Sequence, residues 1–279
     1  MSTTTQEHTR VAILTGASRG IGKGIALRLA ADGLDVVVAD LPDQMDALNA
    51  VTEEIRGLGR KALTVSCDVS KEDEVQAMVD ATVSALSRLD VMVANAGIGV
   101  VGSVMDAEIE AWEKCWAVNI KGTLFCYKHA ARQMVKQGAG GRIIGAISSH
   151  VLGGLTSNHH SVLSASSICG QKGYATLGGY CVSKAAVRSL TQTTALELRE
   201  HNITVNAYGP GIIATNMTAH PLDEEHGAGY GVKQHLGIPE GVRTGQPSDV
   251  ANVVSFLVSP KSHFVTGQTL CVDDGINFT

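Results

Sequence analysis

The 279-residue sequence has no apolar run long enough to cross a bilayer. Its longest runs, such as Val36 to Ala39, fall far short of the roughly 20 residues a spanning helix needs. The start also lacks the apolar core of a secretion signal and the arginines of a transit peptide. Met1 to Thr9 is polar and reads as a disordered tail, and the expected location is cytoplasmic. An excess of basic charge is missing as well: the net charge is −5, so neither nucleic acid nor an anionic membrane is expected as a partner. The six cysteines (Cys67, Cys115, Cys126, Cys169, Cys181, Cys271) form no C-x-x-C pair, which argues against a zinc site and a redox dithiol. They read as reduced, mostly packed thiols. No linker, composition shift or internal repeat divides the chain, so residues 10–279 are expected to form one domain.

What is present is a regular alternation. Short β-rich runs at Val11–Leu14, Val36–Ala39, Ala62–Ser66, Val91–Ala94, Arg142–Ala146, Thr204–Ala207 and Leu270–Val272 alternate with helical stretches. Several runs are apolar throughout, as strands covered on both faces should be. The expected fold is therefore α/β: a doubly wound, Rossmann-type parallel sheet of seven strands with helices on both faces. Ser70 and Ser248 are placed where helix caps belong, and Gly33 and Gly138 where helices stop. Two stretches break the rhythm. Residues 149–166 read as an aperiodic insertion and 217–245 as a lid, because long loops in compact domains are usually functional.

The first strand runs into Thr15-Gly16-Ala17-Ser18-Arg19-Gly20-Ile21-Gly22 and then a helix. Glycines at such a turn let the backbone bend tightly and let a pyrophosphate approach the helix N-terminus. The spacing is G-x-x-x-G-x-G, and a Walker loop is excluded because Gly24, not Ser or Thr, follows Gly22-Lys23. Asp40 closes the second strand, where a carboxylate accepts hydrogen bonds from ribose hydroxyls and repels a 2′-phosphate by a few kcal/mol at an effective dielectric of about 20. Leu41 and Pro42 follow, with no arginine among them. Arg19 argues the other way, but the acid outweighs it, and NAD rather than NADP is the expected cofactor. Tyr180 and Lys184 are four residues apart at the head of a helical stretch, so both lie on one face. A neighbouring ammonium favours phenolate, which is what a tyrosine needs to act as acid or base near neutral pH.

Together these motifs resemble the short-chain dehydrogenase/reductase family, over about Arg10 to Phe278. Its other marks stand in order. Asp68-Val69 resembles the family's adenine contact, and Asn95-Ala96-Gly97 its N-A-G turn, with Ala94 where a first Asn often stands. Asn119 matches the Asn that holds a water for the proton relay. Pro210 and Gly211 open a loop in which Ile213 and Thr215 match the grip on the nicotinamide carboxamide. The resemblance implies that Gly16, Ser18, Arg19, Gly20, Ile21, Gly22, Asp40 and Leu41 line the coenzyme site, and that Asn119, a serine, Tyr180 and Lys184 are catalytic. It implies no metal. His159, His160, His220, His226 and His235 have spacings that match no metal site and read as solvated loop residues.

Two spacings disagree about the serine. Counting from the fifth strand selects Ser148 or Ser149, whereas the customary separation of 13 residues before Tyr180 selects Ser167. Ser166-Ser167-Ile168-Cys169-Gly170 fits the family's S-S-x-x-G, so Ser167 is the expected catalytic serine and His150 to Ala165 a surface excursion. The segments Thr204–Met217 and Val265–Thr279 resemble acetoin/diacetyl reductases and 2,3-butanediol dehydrogenases. Apolar Ile168 departs from that subfamily. The expectation is hydride transfer between NAD(H) and a small secondary alcohol or ketone; a 3-oxoacyl or broad ketone reductase, and a non-catalytic nucleotide-sensing protein, remain as alternatives. The substrate wall is expected from Ile168–Tyr174, Ile98–Val101 and the lid. The family's habit also implies a homotetramer built on two long helices, near Ala111–Gln137 and Tyr180–Glu200, and the last strand.

Overall fold

The computed structural model describes residues 8–147, 167–216 and 218–277. Ser148, Ser149, the 149–166 insertion with His159 and His160, and Met217 of the lid lie outside the described residues. Seven strands, β1 (Val11–Thr15), β2 (Asp35–Asp40), β3 (Ala62–Ser66), β4 (Val91–Ala94), β5 (Gly141–Ala146), β6 (Ile203–Pro210) and β7 (Thr269–Val272), form one sheet in the order β3-β2-β1-β4-β5-β6-β7. Every neighbouring pair is parallel. The chain winds outward from β1 in one direction and from β4 in the other, so the crevice between β1 and β4 is the switch point where doubly wound sheets take ligands.

Nine helices connect the strands among the described residues: α1 (Gly20–Ala31), α2 (Met45–Gly57), α3 (Glu72–Leu86), α4 (Ile109–Trp116), α5 (Thr123–Gln137), α6 (Gly178–Glu197), α7 (Asp223–His226), α8 (Tyr230–Leu236) and α9 (Pro247–Val258). A π-helical segment, Ala117–Gly122, joins α4 to α5. Strand residues alternate between two cores because successive side chains leave a strand on opposite faces. Ala12, Leu14, Val36 and Val38 meet Ile25, Leu29, Leu48, Ile55, Val254 and Leu257 from α1, α2 and α9. Ile13, Val37, Met92 and Val205 meet Val75, Met78, Tyr127 and Met134 from α3 and α5. Burial of each such large side chain contributes about 1.5–3 kcal/mol, which is why these strands read as unbroken apolar runs. At the N-terminal end of the sheet two buried acids fix strand starts. Asp90 accepts from the Val11 amide at 2.8 Å and pairs with Arg88 at 2.6 Å, while Asp35 pairs with Arg60 at 2.8 Å.

Two predicted caps differ from the structure. The residue before α3 is Lys71, not Ser70; the Ser70 hydroxyl donates instead to Asp68 Oδ1 at 2.7 Å, an Asx-type turn that competes with capping. At α9 the cap is Gln246, paired reciprocally with Asp249, and Ser248 sits inside the first turn because Pro247 takes the N1 position. Gly138 does end α5, with φ of 67°. The 217–245 stretch, read from the sequence as a long loop, contains α7 and α8.

Tight packing between β5 and α5 gives a direct test. A Cβ on Gly145 would collide with the Tyr127 hydroxyl, which is hydrogen-bonded to Thr191 at 2.9 Å. Gly145→Ala is expected to cost about 1–3 kcal/mol and to lower the thermal midpoint by roughly 2–4 °C per kcal/mol, measured by calorimetry. An unchanged midpoint would show that this contact is soft.

Candidate active site

The glycine turn after β1 is shaped by close approaches. Gly16 and Gly20 have φ of 65° and 55°, in the left-handed region that glycine alone enters freely. A Cβ on Gly22 would strike the Gly16 carbonyl oxygen, so α1 can start this close to β1 only with glycine there. Arg19 takes the cap position of α1 with extended backbone and makes no side-chain capping bond. Among the described residues no side chain caps the amides opening α1, which carry the positive end of the helix dipole. That is the backbone arrangement an anionic pyrophosphate requires.

Asp40 lies beside this turn. Its Oδ2 accepts from the Ser18 amide at 3.1 Å and its Oδ1 from the Leu41 amide at 2.9 Å. Asp40 is thus bound into the wall next to Ser18, while Leu41 is exposed. Asp68 accepts from both the amide and the hydroxyl of Ser70, and Val69 packs against Gly122, where a Cβ would come within 2.7 Å of the valine. Asn95 donates from Nδ2 to the carbonyls of Thr15 (2.9 Å) and Gly16 (3.0 Å), and the Asn95 and Ala96 amides both donate to Thr15 Oγ1 at 3.1 Å. Gly97 follows at the entrance to the Ile98–Val101 segment. From the other half of the sheet, Gly211 approaches Asp273 so closely that a Cβ would lie 2.7 Å from its Cα. Beyond Pro210 and Gly211, the Gly245 amide donates to Ile212 O, and Thr215 lies against Gly20, 3.3 Å from where a Cβ would stand. Ile213 is buried. The structure therefore brings the predicted coenzyme residues to one rim, at the C-terminal ends of β1, β2, β3, β4 and β6.

The predicted acid/base residues stand beside that rim. Tyr180 and Lys184 occupy the first turns of α6, both buried, with Lys184 Nζ 5.3 Å from the Tyr180 ring centroid. Lys184 donates to Ala146 O at 3.3 Å, at the end of β5. Burial holds its ammonium down to about 8. Asn119 is fully enclosed: Oδ1 accepts from the Ile98 amide, and Nδ2 donates to Ile98 O at 2.8 Å and Ser183 Oγ at 2.9 Å. Its carbonyl accepts from Thr123 Oγ1 at 2.7 Å within the π-helical segment. Ser167 begins a short 3₁₀ turn, Ser167–Gly170, that packs against α6.

Around Tyr180 the walls are apolar. Cys115, Cys169 and Leu177 pack with Ile98, Val100, Val101, Tyr174, Cys181 and Leu236, which unites the three predicted wall segments. Sequence reading missed how the head of α6 is held. Trp116 Nε1 donates to Gly179 O at 3.0 Å, and Trp112 meets Trp116 edge-on with centroids 5.7 Å apart. The Gly178-Gly179 pair that admits these indoles was the available signal. The cysteines are all free, and a hydrogen bond from Cys169 pulls Cys181 down to about 7. Among the described residues no cluster of three or more His, Cys, Asp or Glu side chains could hold a metal, and no helix is long and apolar enough to cross a membrane.

Comparison with known proteins agrees with this arrangement. A family model described as short chain dehydrogenase matches residues 10–165, and one described as enoyl-(acyl carrier protein) reductase matches residues 145–277. A short-chain dehydrogenase/reductase of Armillaria gallica is 42% identical over 280 residues, covering 100% of both chains. A diacetyl reductase [(S)-acetoin forming] of Staphylococcus epidermidis is 37% identical, covering 96% of this chain and 98% of its own. The crystal structure of a short-chain type dehydrogenase/reductase from Mycobacterium marinum superposes with a TM-score of 0.81 at 35% identity, over 97% of this chain and 96% of that one. The chain belongs to the short-chain dehydrogenase/reductase family of oxidoreductases.

The indole contacts yield a second test. A Cβ on Gly179 would stand 2.7 Å from Trp112 Cδ2 and 2.8 Å from Val100 Cγ1. Gly179→Ala is therefore expected to displace the residue next to Tyr180 and, with Tyr180 the predicted acid/base, to lower kcat by roughly tenfold, since small misplacements of a reacting group are costly. Wild-type kcat in that variant would show that the indoles do not set the tyrosine's position.

Proposed function

We propose that the protein moves hydride between NAD(H) and a small secondary alcohol or ketone, with Tyr180 as general acid/base. The observation that carries this reading is the junction of Lys184 with Tyr180 beside the glycine rim: one buried ammonium, 5.3 Å from the phenol ring, at the end of β5. The uncapped start of α1 fits a dinucleotide pyrophosphate, with Arg19 to Gly22 supplying backbone amides. When bound there, the nicotinamide supplies the hydride acceptor or donor. Tyr180 gives or takes the proton at the substrate oxygen, Lys184 orients the nicotinamide ribose and favours the ionised phenol, and Ser167 steadies the substrate oxygen. Asn119, anchored by Ile98 and Ser183, would hold the relay water.

The apolar wall of Ile98, Val100, Val101, Leu177 and Leu236 suits an uncharged ketone rather than a carboxylate or phosphate ester. The diacetyl reductase likeness supports a vicinal diketone or acyloin, and a panel of diacetyl, acetoin, butanediols and β-keto esters with NADH and NADPH tests it. Exposed Leu124 on α5 and Val182 and Leu196 on α6 support assembly through these helices into the homotetramer the family suggests.

Two measurements check the mechanism. Tyr180→Phe keeps the ring and removes the proton donor, so kcat should fall by about 10²–10⁴ while NADH affinity stays within twofold; near-normal turnover would refute the role. Asp40, bound to the Ser18 amide, places negative charge where a 2′-phosphate would sit. NADH should be preferred to NADPH by about tenfold or more, and Asp40→Ala should erode that preference. Equal kcat/KM for the two coenzymes in the unmodified protein would show that Arg19 governs the choice.

A further inference from the structure

The coenzyme rim depends on one amide whose orientation is set from two strands away. Asn95 Nδ2 faces the carbonyls of Thr15 and Gly16, and the same nitrogen lies 2.9 Å from where a Cβ on Gly16 would stand and 2.7 Å from where one on Gly22 would stand. The amide is thus the floor on which the glycine turn folds. It serves only in one orientation, since a flipped Asn95 would turn its oxygen against two carbonyl oxygens. What fixes that orientation is Tyr208 on β6, whose hydroxyl donates to Asn95 Oδ1 at 2.8 Å.

Geometry explains why a tyrosine does this. Tyr208 pairs with Ala146 of β5, and Ala94 of β4 pairs with the preceding Gly145, so Asn95, Ala146 and Tyr208 follow one another across three strands. Ala146 presents only a methyl, leaving room for the ring to pass over β5. Adjacent strands lie about 4.8 Å apart, so reaching β4 from β6 needs a long, rigid side chain that ends in a donor. Tyr208 is fully buried, and that burial raises its pKa, keeping the hydroxyl protonated as the donor Asn95 requires. Two residues further on, the same strand ends at Pro210 and enters the Ile213–Thr215 loop, the other side of the coenzyme rim.

We propose that Tyr208 is a positioning residue for the dinucleotide: through Asn95 it locks the glycine turn after β1 to the strand that carries the Pro210–Thr215 loop. This inference rests on the coenzyme reading above. It predicts that Tyr208→Phe, which keeps the ring and deletes only the hydroxyl, raises the Kd for NADH and its KM by roughly tenfold, with the loss falling on KM rather than kcat. NADH binding is read by fluorescence titration and folding by the thermal midpoint. In an Asn95→Ala background the further change Tyr208→Phe should leave the Kd unaltered, because the path through the amide is already cut. A lowered midpoint with unchanged NADH affinity would assign Tyr208 a packing role and overturn the proposal. So would full additivity of the two substitutions. Failure of the unmodified protein to bind either NADH or NADPH would overturn the coenzyme reading and this inference together, whereas tight NADH binding that ignores Tyr208→Phe would remove the inference alone.

Discussion

The start of α1 presses against the end of β1 so closely that no side chain fits between Gly22 and the Gly16 carbonyl. Much of the site depends on that contact. It sets the left-handed turn at Gly16 and Gly20, leaves the first amides of α1 uncapped, and brings Ser18 within reach of the Asp40 carboxylate. A side chain at either glycine would open the turn and dissolve the proposed anion site, since backbone amides bind phosphate only when they converge. The turn is held in this shape by hydrogen bonds from Asn95 to the Thr15 and Gly16 carbonyls and by Thr15, whose hydroxyl accepts two amides.

On the other side of the switch point the organising constraint is burial of charge. Lys184 sits with its ammonium against the Ala146 carbonyl and above the Tyr180 ring, in surroundings that are otherwise apolar. A lone ammonium in such a place is costly, which is why burial lowers its proton affinity. The structure accepts this cost at the spot where, on the proposed mechanism, Tyr180 exchanges a proton. Perturbed groups of this kind gather at working sites. The tryptophans of α4 and the glycine pair at the head of α6 then fix where the tyrosine stands, so position and charge are set by different elements.

The sheet was legible because both of its faces are covered, which writes its strands as unbroken apolar runs. The order of motifs along the chain then set Gly16, Asp40 and Asn95 at C-terminal strand ends, Thr215 in the loop beyond β6 and Tyr180 at the head of α6. Helix caps were less legible: Ser70 satisfies Asp68 and Ser248 yields to Gln246, because several polar residues near each start compete for the same amides. Contacts across the sheet were not legible at all. Nothing local to Tyr208 or Trp116 announces a partner 113 or 63 residues away, and only the assembled sheet brings them together. The helices α7 and α8 within the lid were hidden by their brevity and by a Gly- and His-rich composition that reads as loop.

The claim that joins these parts is that the glycine rim and the Tyr180–Lys184 pair form one hydride-transfer site. Its most direct test is to incubate the protein with NADH carrying deuterium at both C4 positions and with diacetyl, then analyse the reduced product by mass spectrometry. The account predicts one deuterium on the new carbinol carbon for each NADH consumed. Product formed without deuterium, or binding of the dinucleotide with no transfer to any ketone in the panel, would contradict it.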